Sequence, residues 1–314
     1  MAGVLARRFR DLIIILFLVG TAMFFMVHLI PGNPAVAMLG SYATASQIHQ
    51  LTHSLGLDQP LWSQYTSWLG HLVHGNLGTS IEFEQPALKV IVSHAGPTAI
   101  LAAATTVISL LIAVPVALLS AARPRSLWAK AATPASVFGI AIPGFWLALI
   151  LIIVFSVGLR WLPLSGWTPP ASGFGSFITH LILPVAVLVA GQAALFVRTL
   201  RESILGELLR LYLRTARAKG AKEWAVLVRQ VLPNALLPLI TVVATSMGTL
   251  LGGIVIIENI FVIPGVGALL FQAIEARDYP LVEGVTLMIA LAYVLLNLLA
   301  DLVYVAVDPR IRVR

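Results

Sequence analysis

Apolar and polar positions alternate in long blocks along this chain. Six apolar runs stand out, at 12–30, 98–122, 133–159, 181–197, 235–257 and 284–307. Each is close to the roughly 20 residues a helix needs to cross a bilayer. The pattern therefore predicts six membrane spans. The first run, LIIILFLVGTAMFFMVHLI, follows Arg7, Arg8 and Arg10. A cleaved signal has a shorter apolar core of about 7–15 residues, so this run reads as a retained helix. Pro115, Pro143 and Pro184 fall inside three of the runs. Neighbouring groups in a membrane satisfy the carbonyls that proline frees, so these prolines read as ordinary kinks. Residues 31–96 are more polar and turn-rich, and are expected to pack against the outer ends of the spans.

Composition agrees. The 314 residues are 59% hydrophobic and only 11% charged, with a mean hydropathy of +0.96. A soluble domain is about a quarter charged, so an integral membrane protein is the reading. The net charge of +7 follows from an excess of Lys and Arg on the cytoplasmic side of a membrane, and no nucleic-acid partner is expected. Of 20 Lys and Arg, 17 fall before the first run, in 123–130, in 198–229 and at 310–314. Only Lys89, Arg160 and Arg277 fall on the other side, which instead holds Asp58, Glu82, Glu84, Glu258, Glu275, Asp278 and Glu283. Both termini are thus expected in the cytoplasm. There are no cysteines, which excludes disulfides, Cys–zinc sites and thiol catalysis.

The longest inner loop carries RTARAKGAKEW at 214–224. Its basic sign follows from the charge rule, but its pattern does not. Ile204, Leu208, Leu211, Tyr212 and Thr215 repeat at helical spacing, as do Trp224, Leu227, Val228 and Val231. Two amphipathic helices are predicted, joined at Gly220, where a positive φ is available. Such a hairpin can lie on lipid headgroups, pack on its own bundle, or insert into a partner's groove. Periodicity leaves all three open.

The stretch resembles the EAA loop of ABC-importer permeases, which runs Glu-Ala-Ala, three residues, Gly, nine residues, a hydrophobe, one residue, Leu-Pro. Arg214, Thr215 and Ala216 take the first three positions, Gly220 falls four after Ala216, and Leu232-Pro233 close the pattern. The chain departs from it at Arg214, Thr215 and Gln230. HLIPGNPA (28–35), LGLDQPLWSQY (55–65), GNLGTS (75–80), IPGFWLALIL (142–151), IENIFVIPGVGALLFQAIEARDYP (257–280) and YVAVDPRIR (304–312) are similar to segments of the dipeptide/oligopeptide branch, which also includes nickel and glutathione permeases.

The resemblance implies an all-α fold: a five-helix type I ABC importer permease core, methionine-permease-like, plus one N-terminal helix. It divides the chain into an N-terminal helix (1–30), an outer segment (31–96), a core (97–307) containing the coupling loop 204–233, and a cytoplasmic tail (308–314). The implied partners are a second homologous permease in a heterodimer, two ATPase subunits or one fused ATPase chain, and an extracytoplasmic binding protein. The implied location is a bacterial plasma membrane. The implied substrates are dipeptides or short oligopeptides, with nickel chelates or glutathione as alternatives. No GxxxxGK[ST] phosphate loop occurs in the sequence. No cofactor is expected in this chain, ATP and Mg being bound by the partners.

The resemblance also implies two sets of site residues, and small or polar character on the last two spans suggests a third. ATPase coupling falls to Leu211, Tyr212, Arg214, Thr215 and Ala216, with Arg217, Lys219, Gly220, Glu223 and Trp224. An outer gate or binding-protein contact falls to Glu258, Phe261, Pro264, Gly265 and Gly267. The pathway lining falls to Thr245, Ser246, Thr249 and Asn297, which serve equally as helix-packing residues.

Other chemistry finds less support. The span interiors hold no paired acids, no Ser with His or Lys and no buried metal motif, so no catalytic residue is expected. His28, His71, His74 and His94 form no compact ligand set, so no metal site is expected. A secondary transporter, the alternative from another class, would show coupling charges near the midplane and repeated halves; neither is present. Asp301, in the sixth run, lies about 9 Å from its end at 1.5 Å per residue and reads as structural. Trp62, Tyr65 and Trp68, and Trp161 and Trp167, are expected as interfacial anchors.

Overall fold

The protein was analysed as a computed structural model that describes residues 2–29, 36, 43–54 and 56–307. Among these the chain is helical almost throughout, and an isolated bridge pairs Thr79 with Pro86. The helices are α1 (Ala2–Leu29), α2 (Ala45–Ser54), α3 (Leu61–Val73), α4 (Ala87–Ala122), α5 (Leu127–Ala141) and α6 (Gly144–Leu151). Then come α7 (Phe174–Leu208), α8 (Tyr212–Ala218), α9 (Glu223–Val226), α10 (Leu232–Phe261), α11 (Val266–Glu275) and α12 (Tyr279–Val307). The motifs at 28–35 and 304–312 fall largely outside the described residues, as does the side chain of Asp301.

Four helical segments are long and apolar enough to cross a membrane: Ala87–Ala122, Phe174–Leu208, Glu223–Phe261 and Tyr279–Ala300. The third expected span is not one helix. Ala129–Ala141 and Gly144–Gly158 meet at an angle of 99°, which makes a fifth span if the pair is counted together. Pro115 and Pro184 sit within unbroken helices, as a kink reading expects. Pro143 instead caps α6 in an extended conformation, so it ends one helix and starts another. A proline has no N–H to continue the ladder and disfavours a helical residue before it. The first expected span lies in the 28-residue α1, which is not among those four.

The chain divides into two compact units. In Met1–Pro97 with Pro264–Val294, α3 lies on α1 through aromatic contacts. Phe24 meets Tyr65 and Trp68 at centroid distances of 5.3 and 5.4 Å. Thr21 and Tyr65 share a 2.8 Å hydrogen bond, and Trp68 donates to the buried Glu283 carboxylate at 2.7 Å. Tyr65 and Trp68 thus pack against the protein, and Trp62 is the exposed one of the three. A second cluster joins Ala87, Ile91, Val266, Leu269 and Val285.

In Thr98–Ile263 with Leu295–Arg314, α7 is the central helix. Buried positions make up 56% of its apolar window, against 22–33% for the other three. It packs on α5, α6 and α10. Small residues allow the α5 crossing: a Cβ on Gly139 would sit 2.8 Å from Ala194 Cβ and 2.9 Å from the Ala190 carbonyl oxygen. Gly139→Ala is therefore expected to push the two helices apart and cost about 1–3 kcal/mol, the range for overpacking. Gly144→Ala, whose Cβ would meet Val187 at an ordinary 3.8 Å, should cost much less. Thermal unfolding of the two purified variants checks the difference; equal melting points would refute the close crossing.

Candidate functional site

The loop after α7 contains the expected coupling residues, but in a different phase. One continuous stripe from Ile204 to Thr215 requires an unbroken helix. Instead α7 stops at Leu208 and tightens into a turn, with Leu209 N–H donating to Gly206 and Arg210 N–H to Glu207. The break rotates the face of α8 relative to α7. Leu213 faces the core beside Phe196, Leu200 and Ile204, while Leu209 and Leu211 are 83% and 72% exposed. A second phase shift comes after α9. Residues Leu227–Val231 form a π-helix, closed by Leu232 N–H on the Leu227 carbonyl. Val226, Leu227 and Val231 are buried, and Trp224 is 53% exposed. Each of the two expected continuous apolar stripes is thus divided between a buried and an exposed face. Leu211, Tyr212 and Trp224 lie on the outer face, beside the exposed Arg214, Thr215, Lys219 and Lys222.

The family spacing from Ala216 to Gly220 has a direct physical basis. Gly220 N–H donates to the Arg217 carbonyl at 2.9 Å, and Ala221 N–H to the Ala216 carbonyl at 3.3 Å. These two bonds make a Schellman turn, which places its left-handed residue four positions after the acceptor that closes it. Gly220 has φ +80°. Half-buried Ala216 and Ala221 pack on the same core, the apolar contact that accompanies this turn. Arg217 and Glu223 straddle the turn in a bidentate pair at 3.0 and 2.6 Å. That pairing raises the Arg217 pKa above its ordinary value. Tyr212 links the loop to α10: its hydroxyl reaches Glu207 and the Gln230 carbonyl, and it accepts from Asn234 at 3.2 Å.

Of the expected outer contacts, most are inside the protein. Glu258 is buried, taking a 2.5 Å hydrogen bond from Thr98. Phe261, Gly265 and Gly267 are buried too, and Pro264 is exposed. Here the helix again ends in a Schellman turn, with Val262 N–H on Asn259 and Ile263 N–H on Glu258. A β-branched residue holds the left-handed position: Val262 has φ +53° and is 66% exposed. That conformation costs roughly 1–2 kcal/mol for a residue with a Cβ. Such strain is found at functional positions.

Asp278 carries a network that the acidic outer charge did not reveal. It is buried. Its Oδ2 accepts from Ser80 Oγ at 2.6 Å, Ile81 N–H at 2.8 Å and Glu82 N–H at 3.1 Å. Its Oδ1 accepts from Leu281 N–H at 3.2 Å. One carboxylate thus fixes the 79–86 turn to the start of α12.

Between the α5–α6 bend, α7 and α10 lies a cavity of about 280 Å³. Ser246 and Thr249 line it, and so does Gln192. Thr245 and Asn297, the other expected lining residues, do not: Thr245 is on an exposed face, and Asn297 is half-buried on α12. Ser246 and Thr249 donate to the carbonyls of Val243 and Ser246, leaving their oxygens free to accept. Among the described residues, no group of three or more His, Cys, Asp or Glu is placed to hold a metal ion.

Comparison with known proteins gives a consistent result. The family model described as "Binding-protein-dependent transport system inner membrane component" matches residues 113–313, and the model of that family's N-terminal region matches residues 1–110. A protein described as a peptide permease of Brucella suis biovar 1 is 41% identical over 92% of each chain. The oligopeptide transport system permease protein AppB of Bacillus subtilis is 39% identical over 99% of each chain. The inward-facing MetNI methionine ABC transporter matches in fold, with a TM-score of 0.57 at 18% identity over 70% of this chain and 96% of that one.

Proposed function

Because this chain belongs to the family of binding-protein-dependent transport system inner membrane components, a family of membrane transport subunits and not of enzymes, we propose that it is the permease of an ATP-driven importer of dipeptides or short oligopeptides. The peptide class rests on relatives that are described as peptide and oligopeptide permeases. In this reading a binding protein delivers substrate near the exposed Pro264. A second permease completes the pathway. ATPase subunits, which hold the ATP and Mg, dock on the loop around Gly220 from the cytoplasm.

One observation supports the docking most. Leu209, Leu211, Tyr212 and Trp224 are exposed apolar groups on a loop whose own core contacts are made by Leu213, Val226, Leu227 and Val231. Large apolar side chains ringed by cations are the anchors that dominate protein interfaces. A hairpin lying on lipid would instead present one continuous apolar face. Here the apolar groups flank a rigid turn tied by the Arg217–Glu223 pair.

Gly220 tests the rigidity. Nothing lies within 4 Å of a Cβ placed there, so a side chain meets no clash, only the backbone penalty. Gly220→Val is expected to strain the turn by about 1–2 kcal/mol and to lower uptake per ATP hydrolysed. Gly220→Asn, which tolerates positive φ, should stay close to the unsubstituted protein. Equal coupling ratios for Val and Asn would refute a role for the turn geometry.

A further inference from the structure

We infer that the Tyr212 hydroxyl is the positioning link through which movement of the Gly220 loop reaches α10. The inference rests on the importer reading above and adds to it a route inside the permease.

Tyr212 lies on the outer face of the loop with Leu211 and Trp224, but its oxygen reaches a junction of four segments. Glu207 Oε2, at the end of α7, lies 3.2 Å away. The Gln230 carbonyl, in the π-helix, lies 3.3 Å away. The Asn234 amide, in the first turn of α10, donates to the hydroxyl at 3.2 Å and to the Gln230 carbonyl at 3.0 Å. A hydroxyl has one hydrogen and two lone pairs. It therefore donates to Glu207 or to Gln230 at any one time, while accepting from Asn234. Donation to Glu207 holds α8 to α7. Donation to Gln230 holds it to the base of α10. The contact thus has two discrete arrangements, the physical requirement for passing a movement on. Leu213 packs α8 on the same core, but apolar packing is non-directional. The hydrogen bonds supply the direction.

The base of α10 is a weak joint. It follows a π-helix, a form that is rare and found mostly at functional sites. Pro233 then has no N–H to continue the ladder. Above the joint, Asn234 begins a face that runs through Thr241, Thr245 and Thr249, at i, i+7, i+11 and i+15. All four are exposed in this chain, within a segment apolar enough to cross a membrane. Polar side chains at membrane depth face a bundle interior or a water-filled space in preference to lipid. Thr249 also lines the cavity at the α5–α6 bend, about 22 Å along the helix from Asn234 at 1.5 Å per residue. The hydroxyl therefore holds the near end of a rigid helix whose polar face extends to the pathway.

The test uses proteoliposomes holding the complete importer, with its binding protein outside and ATP inside. The quantity read is labelled dipeptide taken up per ATP hydrolysed. Tyr212→Phe keeps the ring on the docking face and removes the oxygen. Asn234→Ala removes the partner amide from α10. Each is expected to lower the ratio about threefold to tenfold, the worth of one hydrogen bond. The Tm of the complex is expected to change little, because both positions are exposed. Both variants break the same contact, so the double variant is expected to be no worse than either single one. An unchanged ratio in Tyr212→Phe, losses that multiply in the double variant, or a Tm that falls in step with the ratio would overturn the inference while leaving the importer reading intact. Loss of the ATPase from Tyr212→Phe on co-purification would overturn it too, because the hydroxyl would then belong to the docking contact. Absence of binding-protein-dependent dipeptide uptake by the unsubstituted complex would overturn both.

Discussion

Leu211→Asp and Trp224→Asp are each expected to release the ATPase subunits and to lower ATP-driven uptake by at least about thirtyfold, the equivalent of the 2 kcal/mol that marks an interface hot spot. The two side chains lie on either side of the Gly220 turn and are 72% and 53% exposed. Neither belongs to the core cluster that holds the loop, which is built from Leu213, Val226, Leu227 and Val231. A charge at either position should therefore leave the fold intact. That separates them from Val226→Asp, which would bury an unpaired carboxylate and cost the permease its structure. Co-purification of the ATPase with the permease, together with the Tm of the permease, distinguishes these cases. Retained ATPase binding in both surface variants would mean that the loop docks elsewhere or not at all.

Asp278→Ala is expected to destabilise the permease by about 3–5 kcal/mol, because several hydrogen bonds to one carboxylate, each worth roughly 1.5–3 kcal/mol, are lost together. Ser80 Oγ and the N–H groups of Ile81, Glu82 and Leu281 all depend on this one carboxylate. Asp278→Asn keeps one acceptor oxygen and the side-chain shape, and should lose about 1–3 kcal/mol. Denaturation midpoints in detergent, with proteolysis within 79–86 as a local probe, measure the order. A loss below about 1 kcal/mol for the alanine variant would show that the turn is held by other contacts, such as the Thr79–Pro86 bridge and the Gln272–Glu82 hydrogen bond.

Much of the architecture was legible because membrane helices announce themselves by length and apolarity. The apolar runs at 98–122, 181–197, 235–257 and 284–307 each lie within a helix. The long apolar run at 133–159 masked the break at Pro143. Pro115 and Pro184 are each followed by valine, and their helices run on. Pro143 is followed by Gly144, and a Pro-Gly pair is a turn signal. In the loop, the interval from Ala216 to Gly220 was readable because the turn's hydrogen bonds fix it. The phase of the apolar stripes was not, because periodicity assumes an uninterrupted α-helix. The turn at 209–211 and the π-helix at Leu227–Val231 each rotate the face. Asp278 and Gln192 gave little sequence signal. Three of the four partners of Asp278 lie nearly 200 positions away, and Gln192 shows only as one polar residue among small ones in AGQAA.

In the proposed importer the outer face of the Gly220 loop meets an ATPase subunit. The absence of native cysteines makes single-cysteine cross-linking a direct measurement. In the assembled importer, Leu211→Cys and Trp224→Cys are expected to form cross-links to the ATPase subunits that change in yield when ATP is bound. Leu213→Cys, in the buried core of the same loop, is expected to form none. Cross-links from Leu211→Cys and Trp224→Cys to lipid alone, with none to the ATPase in any nucleotide state, would contradict the account.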